Sequence, residues 1–457
     1  MNSIFSIGRK LFLPALVICF SAIEVNAQKG AAYEMTIEGV KVIVQPSNNE
    51  IIEIQTVIKG GVQNYPLDKQ GIESLAMSAL TECGTANDDK NSFKDKLDKV
   101  SASVYGNTGM DFATISMNCI KSDFDVVWPL YADAIAAPKF DEKEFNRIKQ
   151  DAINSLKSQA SQPDYAISKL AKQTAFKGKD YAKNPEGIEG TVSKLTAAET
   201  KAYYQSILTR SRLVIVVVGE IDKEDLTKKI SRLLSGIAQG SPFKLKKELY
   251  TPAKNTFISE KSDLATNYIQ GIASGPAPGA PDFNAFNLAM RIFYARHFLE
   301  VRSKNGLSYA PATWFDGGAS PTANIFVSTT EPNKYIGVAK ALIEKIKKEG
   351  FTEKELKDIK TSYITSFYYR QETNWAQASS FVTNEVLHDN WKRALTINED
   401  LKNVSLQDLD RAFNQYITNL TWAYRGNPAK VNPQLYTTTK NTRTPLPKSK
   451  VSATKNN

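Results

Sequence analysis

The sequence predicts an α+β protein formed by tandem duplication, in which each half is an antiparallel sheet packed against helices. Residues 140–145 (Phe-Asp-Glu-Lys-Glu-Phe) are repeated as residues 351–356 (Phe-Thr-Glu-Lys-Glu-Leu), an offset of 211. Residues 195–199 and 404–408 repeat a second pattern in the same order, at an offset of 209. Two matched segments with a nearly constant offset indicate an internal repeat, and 457 residues are enough for two domains.

Hydrophobic spacing divides the start of the chain into strands and a helix. Apolar residues alternate from Met35 to Val44, around the turn at Glu38-Gly39, and again from Ile52 to Ile58. This alternation predicts antiparallel strands. From Ile72 to Leu80 the apolar residues follow helical spacing. We therefore predict a buried helix that packs on the sheet.

Later segments continue in the same way. Residues 113–119 alternate like a strand, residues 126–137 predict a helix that stops at Pro138, and residues 142–159 predict a long amphipathic helix. The apolar run from Leu213 to Val218 is typical of a central strand that is buried on both faces.

The repeat and the local composition predict five segments. They are a signal peptide (1–27), a first domain (28–239), a polar and basic linker with two prolines (240–254), a second domain (255–436) and a basic disordered tail (437–457). Each domain is expected to contain a sheet of about five or six strands with helices packed on one face.

The first 27 residues have the pattern of an export signal. Two basic residues precede the apolar run Leu11–Ala22, and Val25-Asn26-Ala27 provides the cleavage pattern. The run is short for a bilayer span, and an uncleaved anchor is the alternative. We expect an exported protein of the periplasm or cell envelope of a Gram-negative-type bacterium, with no transmembrane segment in the mature chain.

Few histidines and cysteines are present. His297 and His388 are the only histidines of the chain, so no site with three imidazoles can form. The pair could bind a metal only with a carboxylate and converging geometry, and packed or solvent-facing histidines are the simpler interpretation. After export, Cys83 and Cys119 would lie in an oxidising compartment, where one disulfide and two buried thiols are both compatible with the sequence.

The basic charge does not indicate nucleic-acid binding. The formal charge is +10, from 58 basic and 48 acidic residues. Seven of the basic residues and one acidic residue lie in the first 27 positions or in the tail from Thr437, so the rest of the chain carries a charge of +4. Such a small excess does not indicate a phosphate-binding surface. The sequence also contains no G-x-S-x-G, phosphate-binding glycine loop or C-x-x-C motif.

Four segments together resemble the insulinase and pitrilysin family of zinc peptidases, in particular its bacterial and mitochondrial-processing branch with two homologous domains per subunit. The segments are residues 71–85, 138–140, 216–219 and, most specifically, 298–309. The resemblance extends from about Tyr33 to about Asn427. It implies a processing-peptidase-like fold in which the two domains form half of a clam-shell chamber.

Active members of that family carry H-x-x-E-H on a helix that follows a glycine, with two histidines as zinc ligands and the glutamate as general base. When this motif is placed after Gly71, Ser74, Met77 and Ser78 stand where its first histidine, glutamate and second histidine would be. The third zinc ligand, at the family spacing, falls at Ser155. None of these residues matches the family's ligands or base. The prediction is that this chain has no zinc and no catalytic residue. Glu73 and Glu82 on the same helix are interpreted as solvated charges.

The resemblance assigns a second feature to substrate binding. In the family, an arginine and a tyrosine seven residues apart hold the substrate at the zinc site, and Arg302 and Tyr309 match them. An ion-paired arginine and a packed tyrosine are the alternative. The resemblance implies a non-catalytic subunit that gives this pair and half the chamber to a homologous zinc-bearing partner, which cleaves unfolded peptides. The alternatives are a pseudo-peptidase that binds peptides or scaffolds an envelope complex without proteolysis and, less favoured, a free-standing enzyme.

Overall fold

The structure is a computed structural model that describes residues 30–438. The predicted signal peptide and nearly all of the predicted tail lie outside the described residues. Among the helices of residues 30–438, none has both the length and the apolar character needed to cross a bilayer.

The first unit starts with three strands, followed by alternating helices and strands. Its strands are β1 (Tyr33–Ile37), β2 (Val40–Gln45), β3 (Ile51–Lys59), β4 (Ser103–Thr108), β5 (Phe112–Ile120) and β6 (Leu213–Val218). Its helices are α1 (Ile72–Glu82), α2 (Lys90–Asp98), α3 (Phe124–Ala136), α4 (Glu142–Ser161), α5 (Pro163–Ala175), α6 (Glu189–Val192), α7 (Ala197–Ile207) and α8 (Lys223–Ser235).

The six strands form one sheet in the order β1-β2-β6-β3-β5-β4. The pair β2–β6 is parallel and the other neighbours are antiparallel. All residues of β6 are buried, as predicted for the run from Leu213 to Val218. The helix α1 begins after Gly71, whose φ is 95°. A Cβ at Gly71 would lie 2.7 Å from the Val192 side chain, so this helix start requires glycine.

The second unit repeats the plan. Its strands are β7 (Thr256–Lys261), β8 (Asn267–Ser274), β9 (Ala312–Asp316), β10 (Thr322–Thr329) and β11 (Thr421–Gly426). Its helices are α9 (Phe283–Phe298), which a π-helical turn (Leu299–Lys304) extends, α10 (Pro332–Glu349), α11 (Glu353–Arg370), α12 (Asn374–His388), α13 (Arg393–Lys402), α14 (Leu406–Tyr416) and α15 (Gln434–Thr437).

The strand order β7-β11-β8-β10-β9 reproduces the order β2-β6-β3-β5-β4, including the single parallel pair. Phe140 and Phe351 each lie two residues before a helix, α4 and α11, and not on the helices themselves. Asp141 and Thr352 cap these helices through their side chains. The predicted α+β duplication is confirmed.

Each unit also covers the second face of the other unit's sheet with one helix. The helix α12 packs on β3 and β6, and α5 packs on β8 and β11. Gln55 on β3 donates a hydrogen bond to Ser379 on α12 (3.3 Å). The adjacent Thr56, on the opposite face, bonds Tyr131 of α3. Helices therefore cover both faces of the first sheet, and the prediction of helices on one face was wrong.

The segment 240–254 crosses between the units without forming a helix or strand, and contacts hold it in place. Gln63 exchanges two hydrogen bonds with the backbone of Lys246 (2.9 and 3.0 Å). The Arg212 guanidinium lies 4.0 Å from the centroid of the Phe243 ring. This segment is an anchored connection, and the predicted domain boundaries on either side of it stay predictions.

Candidate functional site

Ser74, Met77 and Ser78 are the positions of α1 that the zinc motif would occupy. The helix α1 packs against β4, an edge strand of the first sheet. Ser74 and Ser78 are half-buried, and Met77 is buried. The strand approaches so closely that a Cβ on Gly106 would lie 2.4 Å from the Met77 carbonyl oxygen. Two hydroxyls and a thioether therefore stand where the family has two imidazoles and a carboxylate.

The position of the third ligand offers no better donor. Ser155 is exposed on α4, where Gln159 donates to it at 3.4 Å. Asp151, one turn away, accepts a hydrogen bond from Arg147 at 3.0 Å. Within residues 30–438, no group of three or more His, Cys, Asp or Glu is arranged to hold a metal ion. These residues do not fit a zinc site.

A buried carboxylate lies next to these positions. Glu73 has 0% exposure, so its interpretation as a solvated charge was wrong. It accepts hydrogen bonds from Asn64 (3.0 Å), Thr108 (3.0 Å) and Tyr203 (2.5 Å). Burial raises the pKa of Glu73 above its ordinary value, and the three donors oppose that rise. The carboxylate thus ties α1 to β4, to α7 and to the segment before α1.

Glu82, at the end of α1, has a different environment. It is half-buried and pairs with Lys94 (2.5 Å) and Arg147 (2.6 Å). Burial alone would raise its pKa, but the two cations outweigh that effect and hold the pKa of Glu82 below its ordinary value.

The two histidines occupy separate packed positions. His297 is buried in the second unit, with its Nε2 3.1 Å from the Tyr335 hydroxyl, and burial lowers its pKa to about 3. His388 packs edge-on against Phe283 at 4.9 Å between ring centroids. Burial, followed by the charges of nearby basic side chains, lowers the pKa of His388 to about 4. Both imidazoles are therefore neutral near pH 7.

Both cysteines are free and buried. Cys83 caps the C-terminus of α1, and Cys119 lies near the end of β5. Burial raises the pKa of each thiol to about 12. The structure therefore has the two buried thiols that the sequence left as one of two alternatives.

The structure brings the predicted substrate-binding pair together. Arg302 lies in the π-helical turn after α9, and its guanidinium carbon is 4.1 Å from the centroid of the Tyr309 ring. Tyr309 is 78% exposed. Within residues 30–438, no carboxylate forms a salt bridge with Arg302. Neither the ion-paired arginine nor the packed tyrosine of the alternative interpretation is present.

Tyr309 does not lie on a strand. It occupies a bend, and β9 starts three residues later at Ala312. Gly306 adopts a φ of 59° and redirects the chain after the helix. Pro311 has no backbone N–H for a sheet, which delays the strand. The bend presents the phenol to solvent instead of to the core.

Residues 194–363 match the family model described as the Peptidase M16 inactive domain. The predicted resemblance to this peptidase family is confirmed. A Helicobacter pylori relative named non-peptidase homolog YmxG is 20% identical to this chain over 450 residues. The match covers 92% of this chain and 99% of that protein. A Rickettsia felis relative named uncharacterized zinc protease is 20% identical over 380 residues, covering 81% and 90%.

Solved structures share the fold. An M16 inactive domain from Pseudomonas fluorescens superposes with a TM-score of 0.78 and 18% identity, covering 88% of this chain and 100% of that chain. The periplasmic protease PqqL from Escherichia coli superposes with a TM-score of 0.74 and 16% identity, covering 93% of this chain and 49% of that chain. The chain is thus similar both to proteins named as proteases and to one named as a non-peptidase homologue.

Proposed function

We propose that the chain is a non-catalytic subunit of an exported zinc peptidase. It supplies Arg302, Tyr309 and half of a chamber to a zinc-bearing homologue that cleaves unfolded peptides. The observation that carries this proposal is the pair formed by the half-buried Arg302 and the exposed Tyr309. Its guanidinium lies over the phenol ring and forms no salt bridge with a carboxylate within residues 30–438.

The pair has the chemistry that the role needs. A guanidinium stacked by its face on an aromatic ring keeps its N–H edges for peptide carbonyls and carboxylates. The exposed phenol can donate to the oxyanion that develops when a peptide bond is attacked. These are positioning and electrostatic contributions, and they require no metal ligand from this chain.

The first unit provides a surface for an extended peptide. The strand β4 is an edge of its sheet, and Ser103, Tyr105 and Asn107 are exposed on it. An edge strand has backbone donors and acceptors on one side that can pair with an added strand. This surface supports both proposed roles, because a subunit and a peptide-binding scaffold each need a place for peptide.

The second candidate is a pseudo-peptidase that binds peptides or scaffolds an envelope complex without proteolysis. It is favoured by the Glu73 network, in which a buried carboxylate with three hydrogen-bond donors braces α1 beside the former ligand positions. It is also supported by the relative named as a non-peptidase homologue, which matches along 99% of its length.

Co-expression with a homologue that has an intact H-x-x-E-H separates the candidates. A subunit should co-purify with that homologue and raise its cleavage of an unfolded fluorogenic peptide well above the activity of either chain alone. Arg302→Ala should raise the KM of the complex more than it lowers kcat, because it removes a multi-donor anchor. Co-purification without any gain in cleavage would favour the scaffold.

A further inference from the structure

One side of α9 carries a row of exposed and half-buried arginine and aromatic side chains that extends beyond the Arg302–Tyr309 pair. We name it the arginine–aromatic stripe, and it consists of Arg291, Tyr294, Phe298, Arg302, Tyr309 and, from α11, Tyr363 and Arg370. Large exposed aromatic side chains combined with arginines are enriched at binding surfaces.

Helical spacing makes the stripe continuous. Arg291, Tyr294, Phe298 and Arg302 follow one another at three or four residues, so they lie on one face. Eleven residues at the α-helical rise place Arg291 and Arg302 at most about 16 Å apart along that face, because the π-helical turn that carries Arg302 rises less per residue. The rings of Tyr294 and Phe298, 6.1 Å apart, fill the space between the two arginines.

Each arginine of the stripe lies over an aromatic ring. The Arg302 guanidinium carbon is 5.0 Å from the Phe298 centroid, in addition to its contact with Tyr309. Arg291 and Arg370 both lie over Tyr363, at 4.7 and 5.7 Å. Stacking on the ring face leaves the N–H edges of a guanidinium available for a second partner. Arg291 already donates from Nε to Asn287 (3.2 Å), so its terminal amino groups would make the new contact.

The charges of the stripe are not neutralised within residues 30–438. Five other arginines form salt bridges with carboxylates, and they are Arg147, Arg210, Arg296, Arg411 and Arg425. Two carboxylates near α9 are already engaged, since Glu300 pairs with Lys304 (2.9 Å) and Glu355 pairs with Arg296 (2.7 Å). Arg291, Arg302 and Arg370 therefore form a positive surface without an internal counter-charge.

We infer that the stripe binds an acidic peptide segment that lies extended along α9. The 16 Å between Arg291 and Arg302 corresponds to about five residues of extended chain. The favoured ligand thus has two carboxylates about five residues apart, each held by one guanidinium, with apolar side chains on the rings between them. This inference rests on the proposed function for the role of Arg302 and Tyr309 and adds the class of peptide.

The test is direct binding to the purified mature chain, without a partner. The probe is a fluorescein-labelled peptide, acetylated and amidated, with two glutamates five residues apart around a leucine, and its matched control has glutamines. Fluorescence anisotropy should show the glutamate peptide binding roughly tenfold or more tightly, because only the charged carboxylates accept charge-assisted hydrogen bonds from the guanidinium groups. The preference should shrink as salt rises.

Variants locate the binding surface. The double variant Arg291→Ala/Arg302→Ala should remove most of the preference for glutamate, because it removes both guanidinium groups that hold the carboxylates. Arg291→Gln alone should reduce the preference with less effect on packing. Arg232→Ala is the matched control, since Arg232 is exposed on α8 of the first unit and has no carboxylate partner within residues 30–438. It should bind like the wild type, and far-ultraviolet circular dichroism verifies that each variant is folded.

Three results would overturn the inference. They are equal binding of the glutamate and glutamine peptides, an undiminished preference in the folded arginine variants, and equally tight binding of a single-stranded oligonucleotide of the same length. The proposed function fails separately, when the chain does not raise the cleavage activity of a zinc-bearing homologue. A chain that prefers the acidic peptide but never stimulates cleavage would keep this inference and lose the subunit role.

Discussion

Ser168 on α5 of the first unit donates a 2.8 Å hydrogen bond to Gln270 on β8 of the second. The contact between Gln55 and Ser379 is its counterpart, and Ser168 and Ser379 are separated by the repeat offset of 211. Because Gln270 is buried, Ser168→Ala would leave its side-chain carbonyl without this donor. We expect the free energy of unfolding to fall by about 1–2 kcal/mol.

Urea denaturation of the purified chain measures this loss, with the m-value unchanged if only stability has changed. Ser158→Ala on α4 is the matched control, because that serine is exposed and alanine favours helix. If Ser168→Ala and the control have the same free energy of unfolding, the packing of α5 on the second sheet does not depend on this hydrogen bond.

The buried Glu73 should make stability depend on pH. Its pKa is raised by burial in the folded protein, so the native state holds the proton more tightly than the unfolded chain does. The resulting stabilisation is fully present below the unfolded pKa of about 4.3 and is lost as the pH rises through the folded pKa. Glu73→Gln should therefore show a shallower fall in the free energy of unfolding with rising pH.

Denaturation between about pH 4 and 8 measures the difference between wild type and variant. Glu53 and Asp111 also have a pKa raised by burial, but they are present in both proteins and cancel in the difference. Glu82→Gln should act with the opposite sign in a series extended below pH 4. Folding lowers the pKa of Glu82, so its contribution is lost only as the pH falls below the unfolded pKa of about 4.3. Parallel curves for Glu73→Gln and wild type would contradict this account of the network.

Metal analysis should find no stoichiometric zinc in the purified chain. Ser74, Met77, Ser78 and Ser155 offer hydroxyls and a thioether, which are poor zinc ligands without an imidazole, thiolate or carboxylate. Inductively coupled plasma mass spectrometry after dialysis checks this, with a homologue that carries H-x-x-E-H as the positive control. One zinc retained per chain would refute the assignment of these positions.

Local patterns made much of the fold predictable. The run from Leu213 to Val218 is typical of a strand buried on both faces, which it forms, and the helical spacing from Ile72 predicted α1. The packing of α5 and α12 on the sheet of the other unit could not be predicted. The amphipathic pattern of a helix shows that one of its faces is buried, but it does not show which sheet that face covers.

The candidate site was only partly predictable for a similar reason. The resemblance selected Arg302 and Tyr309 because a dense local motif surrounds them, and their role in substrate binding stays a prediction. Glu73 was misassigned because its partners Asn64, Thr108 and Tyr203 are spread over 140 residues and have no common pattern. Burial of a single glutamate results from tertiary packing, which hydrophobic spacing on one helix does not reveal.

The central claim is that Tyr309 completes the active site of a zinc-bearing partner. Its most direct test is the kcat for peptide cleavage by the assembled complex with Tyr309→Phe, which removes one hydroxyl and keeps the ring over Arg302. Tyr33→Phe is the control, because it removes a hydroxyl from β1 at the opposite edge of the first sheet. We expect Tyr309→Phe to lower kcat roughly ten- to a thousandfold with assembly intact, whereas a kcat equal to that of wild type and control would contradict the claim.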